Sequence, residues 1–153
     1  MNTVNSPRML RVAGVLLVLL GFGHLVVMGV VAGSRMAVWA TTGFWAAVPL
    51  MQGPNAGDAS FRNALAFWGG VGSFAVPLIV LGALLWWGAG RGFVPPAWSG
   101  WVLAAWFAVA AVLLVPSPMV VGVASGVLIV LAARRRTPSD REAPSAADVL
   151  EQR

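Results

Sequence analysis

The sequence predicts an all-α polytopic membrane protein: a four-helix transmembrane bundle with an interfacial helix between its first and second spans. Three observations carry that expectation. Of 153 residues, 59% are hydrophobic and 10% charged, against about 45–50% and 25% in a soluble globular domain. Four apolar runs, residues 10–32, 64–87, 98–115 and 117–133, approach the about 20 residues that a helix needs to cross a bilayer. The chain also holds 18 Gly, 10 Pro and 8 Trp, types that are frequent in membrane helices and at their interfaces.

The first run follows Arg8 and Arg11 as a signal peptide would, but its apolar length exceeds the about 7–15 residues of a signal core. It is expected to remain as the first span. Residues 36–48 contain Met36, Trp39, Phe44, Trp45 and Val48. They are interrupted at Thr41-Thr42-Gly43, stopped by Pro49 and too short to cross. They are expected as an interfacial or re-entrant helix with Trp39 and Trp45 at headgroup depth. The second span contains Pro77, which removes a backbone hydrogen bond and should kink the helix near Ser73 and Phe74. The third span carries no such interruption. The fourth is the shortest, with Pro118 able to start it and Arg134 able to snorkel from its end. Residues 134–153 are basic, then mixed in charge, and read as a disordered cytoplasmic tail. Within it Ser145 and Asp148 form a capping-box pattern for a helix too short to stand alone.

Arginine sets the orientation. With both termini inside, the cytoplasmic side holds Arg8, Arg11, Arg91, Arg134, Arg135, Arg136 and Arg141, and the far side only Arg35 and Arg62. The expected location is the inner (plasma) membrane, crossed several times, with Trp86, Trp87 and Trp98 in one aromatic belt and Trp39, Trp45 and Trp68 in the other. The net charge of +5 comes from ten Arg and no Lys against five acids. Seven of those arginines stand at the two ends of the chain rather than in the patch or stripe that nucleic acid requires. The bilayer is the expected partner and nucleic acid is not.

Lipid supplies no hydrophobic drive for helices to meet, so faces of small residues mark their contacts. The first span offers Gly14, Gly21, Met28 and Ala32, and the second Gly69, Gly72, Ser73 and Val80. The third offers Ala97, Gly100, Ala104, Ala108 and Ala111, opposite Val102, Trp106, Val109 and Leu113. The fourth offers Gly122, Ser125, Gly126 and Ala133. Gly29–Gly33 and Gly122–Gly126 also match the spacing of helix-association motifs, for packing within the chain or for a homodimer or protein partner.

His24 is the ionisable side chain deepest inside a span, and such groups are functional-site candidates by default. It can join helices by a hydrogen bond to Ser73, Ser125 or a backbone carbonyl. With Ser73 and Ser125 it can also form a site for a small lipophilic ligand, or it can serve as a proton site, though a relay normally needs more than this single link. A haem or metal ligand is a third reading, weakened because no second His, Cys or acid lies in any span. Zero Cys removes thiolate nucleophiles and cysteine-ligated metals. No intramembrane carboxylate can orient a Ser–His pair. Gly69-Gly70-Val71-Gly72 lacks the lysine and the preceding strand of a phosphate loop. No catalytic residue, metal site or cofactor is therefore expected.

Gly21-Phe22-Gly23-His24, Phe67-Trp68-Gly69-Gly70 and Pro95-Pro96 together resemble a group of small four-span bacterial membrane proteins, common in actinobacteria and classed as a domain of unknown function. The likeness covers roughly residues 9–134. A more distant one, to DoxX-type four-helix proteins, is of architecture. These likenesses imply the fold and no activity. The expected role is a non-enzymatic component or accessory factor of a membrane complex, or alternatively binding or transport of a small lipophilic molecule around His24.

The cysteine-free chain makes the topology testable. Single cysteines at Asn5, Asn55, Gly90 and Ser139, probed in intact cells with an impermeant thiol reagent, should label at Asn55→Cys alone. Labelling at Ser139→Cys would instead mean five spans or reversed insertion.

Overall fold

The structure, a computed structural model, describes residues 5–42, 57–114 and 117–135. These residues form five helices and no strand: α1 (Asn5–Thr42), α2 (Asp58–Gly69), α3 (Ala75–Ala89), α4 (Ala97–Leu113) and α5 (Val120–Arg134). One helix is long and apolar enough to cross a membrane, over Ser6–Ser34 of α1, with a mean hydropathy of 2.6. Helices α3, α4 and α5 have 15, 17 and 15 residues, about 22–25 Å at 1.5 Å per residue. That falls short of the about 30 Å of a hydrocarbon core.

Helix α1 does not end near residue 32. Gly33 and Ser34 pass through it, because a glycine inside a helix costs only about 1 kcal/mol relative to alanine and no proline follows before Pro49. Residues 36–42, expected in a separate interfacial helix, are its last turns. The rest of that segment and the tail beyond Arg135 lie outside the described residues.

The expected second span is two helices. Gly69, Gly70 and Gly72 stop α2, and α3 starts afresh with Pro77 at its third position, where a missing N–H breaks no helical bond. The proline therefore begins a helix rather than kinking one. The stop has its own hydrogen bonds. The Gly70 N–H donates to the Ala66 and Phe67 oxygens (both 3.1 Å), the Gly72 N–H to Phe67 O (2.9 Å) and the Ser73 N–H to Gly70 O (3.0 Å). The α3–α4 turn closes differently. Gly92 takes φ 72°, a conformation that favours glycine. Its N–H reaches Ala89 O (3.4 Å) while the Phe93 N–H reaches Gly88 O (3.0 Å), the Schellman pattern.

Helix α1 packs against α3 and α5, α5 also packs against α4, and α3 and α4 do not approach closely. Glycines set the contacts. A Cβ on Gly14 would lie 2.5 Å from the Gly82 oxygen and one on Gly82 2.5 Å from the Gly14 oxygen, while Gly100 and Gly126 stand in the same reciprocal relation at 2.6 Å. Gly21 lies against the Ala75 oxygen, and Gly122 leaves the space that the Phe107 ring fills. These pairings run antiparallel, as does that of α1 with α5, where the Ser6 hydroxyl donates to Ala132 O (2.6 Å). Leu10, Leu17, Leu20, Leu78, Leu85, Phe107 and Ile129 fill the centre.

Two of the expected faces change. The break before α3 resets its helical phase, so Ala75, Leu78, Gly82 and Leu85 turn inward and Val80 is 52% exposed. In α4 the interior passes from Gly100 and Ala104 to Phe107, which faces the notch at Gly122, and Ala108 is exposed. Ala104→Leu should therefore destabilise the fold by about 1–3 kcal/mol, the usual cost of overpacking. Ala108→Leu should be within about 0.5 kcal/mol of the parent. Thermal unfolding in detergent checks the difference, and equal losses would contradict the packing.

Candidate functional site

The break between α2 and α3 creates a specific need. In an unbroken helix the Gly69 carbonyl would accept from the Ser73 N–H, but that N–H is turned to Gly70. An apolar surrounding gives such an orphan oxygen no water to accept from. The imidazole of His24, on α1, meets it: Nε2 lies 2.7 Å from Gly69 O. A carbonyl only accepts, so Nε2 is the donor, and in the neutral ring Nδ1 is left as an acceptor. The ring also packs against Phe74, with centroids 5.1 Å apart. Phe74 continues edge-to-face to Trp106 (5.6 Å), and Trp106 to Phe107 (4.8 Å). A run of rings thus joins the middle of α1 to the α4–α5 pair.

His24 lines a groove of about 650 Å³ between α1 and the α4–α5 connection, within the size range of small-molecule sites. Leu16, Leu20 and Val27 form one wall, Leu114, Met119 and Val121 the other, with Phe74 at the side. Gly23 lies in the α1 wall with open space where a side chain would project. Leu19 and Val27 are more than half exposed, so the groove opens on the outside of the bundle. Its polar lining is His24 and Ser117, and the Ser117 hydroxyl already accepts from the Met119 N–H (3.2 Å).

The structure does not bring the three residues expected from the sequence together. Ser73 lies in the break, where its Oγ accepts from the Ala75 N–H (3.2 Å) and caps the start of α3. Ser125 is fully buried in α5 and donates to Val121 O, one turn back (2.9 Å). Neither lines the groove. Of the alternatives left open for His24, the bond to a backbone carbonyl is the one present. Phe74 lines the groove and Trp106 packs behind it, and neither is legible as such in sequence, since nothing local distinguishes them from other aromatics of the apolar runs.

Loss of the imidazole should leave Gly69 O unpaired. His24→Leu is expected to lose about 0.6 kcal/mol, the average for polar contacts between membrane helices. His24→Gln, which keeps an N–H donor, should lose less. Denaturation in mixed micelles measures both, and a His24→Leu protein as stable as the parent would show the contact to be dispensable.

No family model, curated protein or solved structure matches this chain, so the groove and its imidazole stand on their own geometry.

Proposed function

We propose that the chain is a multi-pass membrane protein, with both termini cytoplasmic, that binds a small lipophilic molecule in the groove beside His24. Membrane placement is supported by how the side chains are sorted. Small residues such as Ala13, Ala75 and Ala104 are buried, while Val30 (82%), Val112 (76%) and Trp98 (67%) face outward. An apolar exterior of this kind on several helices suits lipid rather than water. The four passes would be α1, α2 with α3, α4 and α5, the helix ends and turns making up the length that the shorter helices lack.

The observation that carries the binding function is the groove, apolar except for Ser117, whose hydroxyl already accepts from the Met119 N–H, and for an imidazole whose Nδ1 has no hydrogen-bond partner among the described residues. The matching ligand has an apolar body and one hydrogen-bond donor, such as a hydroxyl or an amide. Binding needs no catalytic group, and no residue is given a catalytic role.

A second reading, an accessory component of a membrane complex, is favoured by α1 beyond the groove. A Cβ on Gly29 or Gly33 would meet nothing among the described residues, and Val30 and Val31 beside them are exposed. A partner helix can approach there.

Mass spectrometry of the gently purified protein separates the two. The first reading expects a retained lipophile that Gly23→Leu expels, by at least about tenfold in occupancy, with no loss of stability because the added side chain enters open space. The second expects a stoichiometric protein partner that Gly29→Leu releases. Equal lipophile content in the parent and in Gly23→Leu would overturn the first.

A further inference from the structure

Five of the seven arginines among the described residues gather at the end of the bundle away from the His24 groove. Arg8 and Arg11 begin α1, Arg91 lies in the α3–α4 turn, and Arg134 and Arg135 end α5, all of them exposed. Three are seated on indole rings: Arg91 over Trp87 at 3.8 Å, and Arg11 over Trp86 and Arg134 over Trp101, both at 5.9 Å. Among the described residues the one carboxylate is that of Asp58, at the start of α2. The other end of α2 lies against Met28 and Met36, and Met28 is about 25 Å along α1 from Arg11. Five guanidinium groups thus share one end with no described carboxylate to neutralise them. A guanidinium held by its face on a ring keeps its in-plane N–H donors for an oxyanion.

Beside this end lies the seam left where α3 and α4 stay apart. An apolar groove of about 310 Å³ runs along it from Phe93 in the turn, past Trp98 and Ser99, to Leu81 and Leu103. Leu81 is eight residues from the last residue of α3, so the groove reaches about 12 Å inward. Leu84 lines it, and Trp87, three residues on along the same face of α3, carries Arg91. The most closely stacked cation therefore belongs to the same turn as Phe93, which lines the apolar channel.

We infer that this turn holds one anionic phospholipid, its phosphate on the Arg91 guanidinium and part of one acyl chain in the α3–α4 seam. The inference rests on the membrane placement proposed above and is independent of the His24 groove. Charge complementarity selects an anion, and the adjoining channel selects one that carries a hydrocarbon chain rather than free phosphate. The volume admits part of a chain, not a whole lipid, so the second chain lies outside in the bilayer. A diffuse attraction of a basic surface to a negative membrane would weigh Arg8 and Arg91 alike, whereas this site does not.

The test uses the full chain in detergent micelles with dioleoyl phosphatidylglycerol and dioleoyl phosphatidylcholine in equal amounts, read by native mass spectrometry. One phosphatidylglycerol per chain should be retained with about tenfold preference, because the choline cation of phosphatidylcholine offsets the charge of its phosphate and meets the clustered arginines unfavourably. Arg91→Gln should abolish the preference and Arg8→Gln keep it. Ser99→Leu, which fills the channel, should lower occupancy, and glycerol phosphate should not displace the lipid. Equal retention of both lipids, equal loss in Arg8→Gln and Arg91→Gln, or displacement by glycerol phosphate would overturn the site. So would selectivity that emerges only when Asp140, Glu142, Asp148 and Glu151 are neutralised together, since the arginines would then belong to the chain's own acidic residues. Release of the protein from membranes by carbonate washing would instead sink the membrane placement itself.

Discussion

Backbone meets backbone where Gly14 faces Gly82, Gly21 faces Ala75 and Gly100 faces Gly126, and the remaining geometry is arranged around these contacts. In the membrane placement proposed for the chain, burial between helices offers little, and attraction comes from many short van der Waals contacts. Such contacts require that no side chain stand between the backbones. With α1 drawn to α3 and α4 drawn to α5, the two pairs meet across α1 and α5 around Leu17, Phe107 and Ile129. The remaining side of the square, α3 to α4, has no matching glycines and stays open. Facing glycines thus account for the α1–α3 and α4–α5 seams, while α1 and α5 close on each other without them.

A second consequence follows from the register of that packing. The Gly14–Gly82 and Gly21–Ala75 contacts fix how far along α1 the start of α3 lies. They bring the α2–α3 break to the level of His24, where an interrupted helix most needs a donor. The imidazole is thus committed to a carbonyl through one nitrogen and can address a ligand only through the other. Phe74, Trp106 and Phe107 back this arrangement with a continuous run of rings, so the imidazole in the groove wall is packed from behind.

Much of this is readable from composition and spacing. The all-helical class, the positions of α4 and α5, and the inward faces at Gly14, Gly100 and Gly122 follow from apolar runs and small-residue stripes. The positions that escape reading are those where chain-distant residues decide. Pro77 is equally consistent with a kink or a fresh start, and the neighbouring glycines choose the start. A stripe drawn through that break predicts Val80 inward, because the phase is carried over a turn that discards it. Ala108 continues a small-residue stripe, yet Phe107 wins the interior because Gly122, fifteen residues on, leaves room for a ring. His24 is conspicuous in the sequence, but its partner is a main-chain oxygen, which has no letter in the sequence, whereas the hydroxyls of Ser73 and Ser125 do and were the natural suggestion.

The unequal lengths of the helices also act on the bilayer in which the chain is proposed to sit. The apolar part of α1 spans 29 residues, about 43 Å, whereas α4 and α5 offer about 22–25 Å each. Lipid beside α1 can remain thick or the helix must tilt, while lipid beside α4 and α5 is drawn thinner by whatever length their flanking turns do not supply. The protein would then sit across a step in membrane thickness, more comfortable at the border between thin and thick regions than within either. Its position in the membrane would be governed by the mechanics of the bilayer as much as by any molecule it binds.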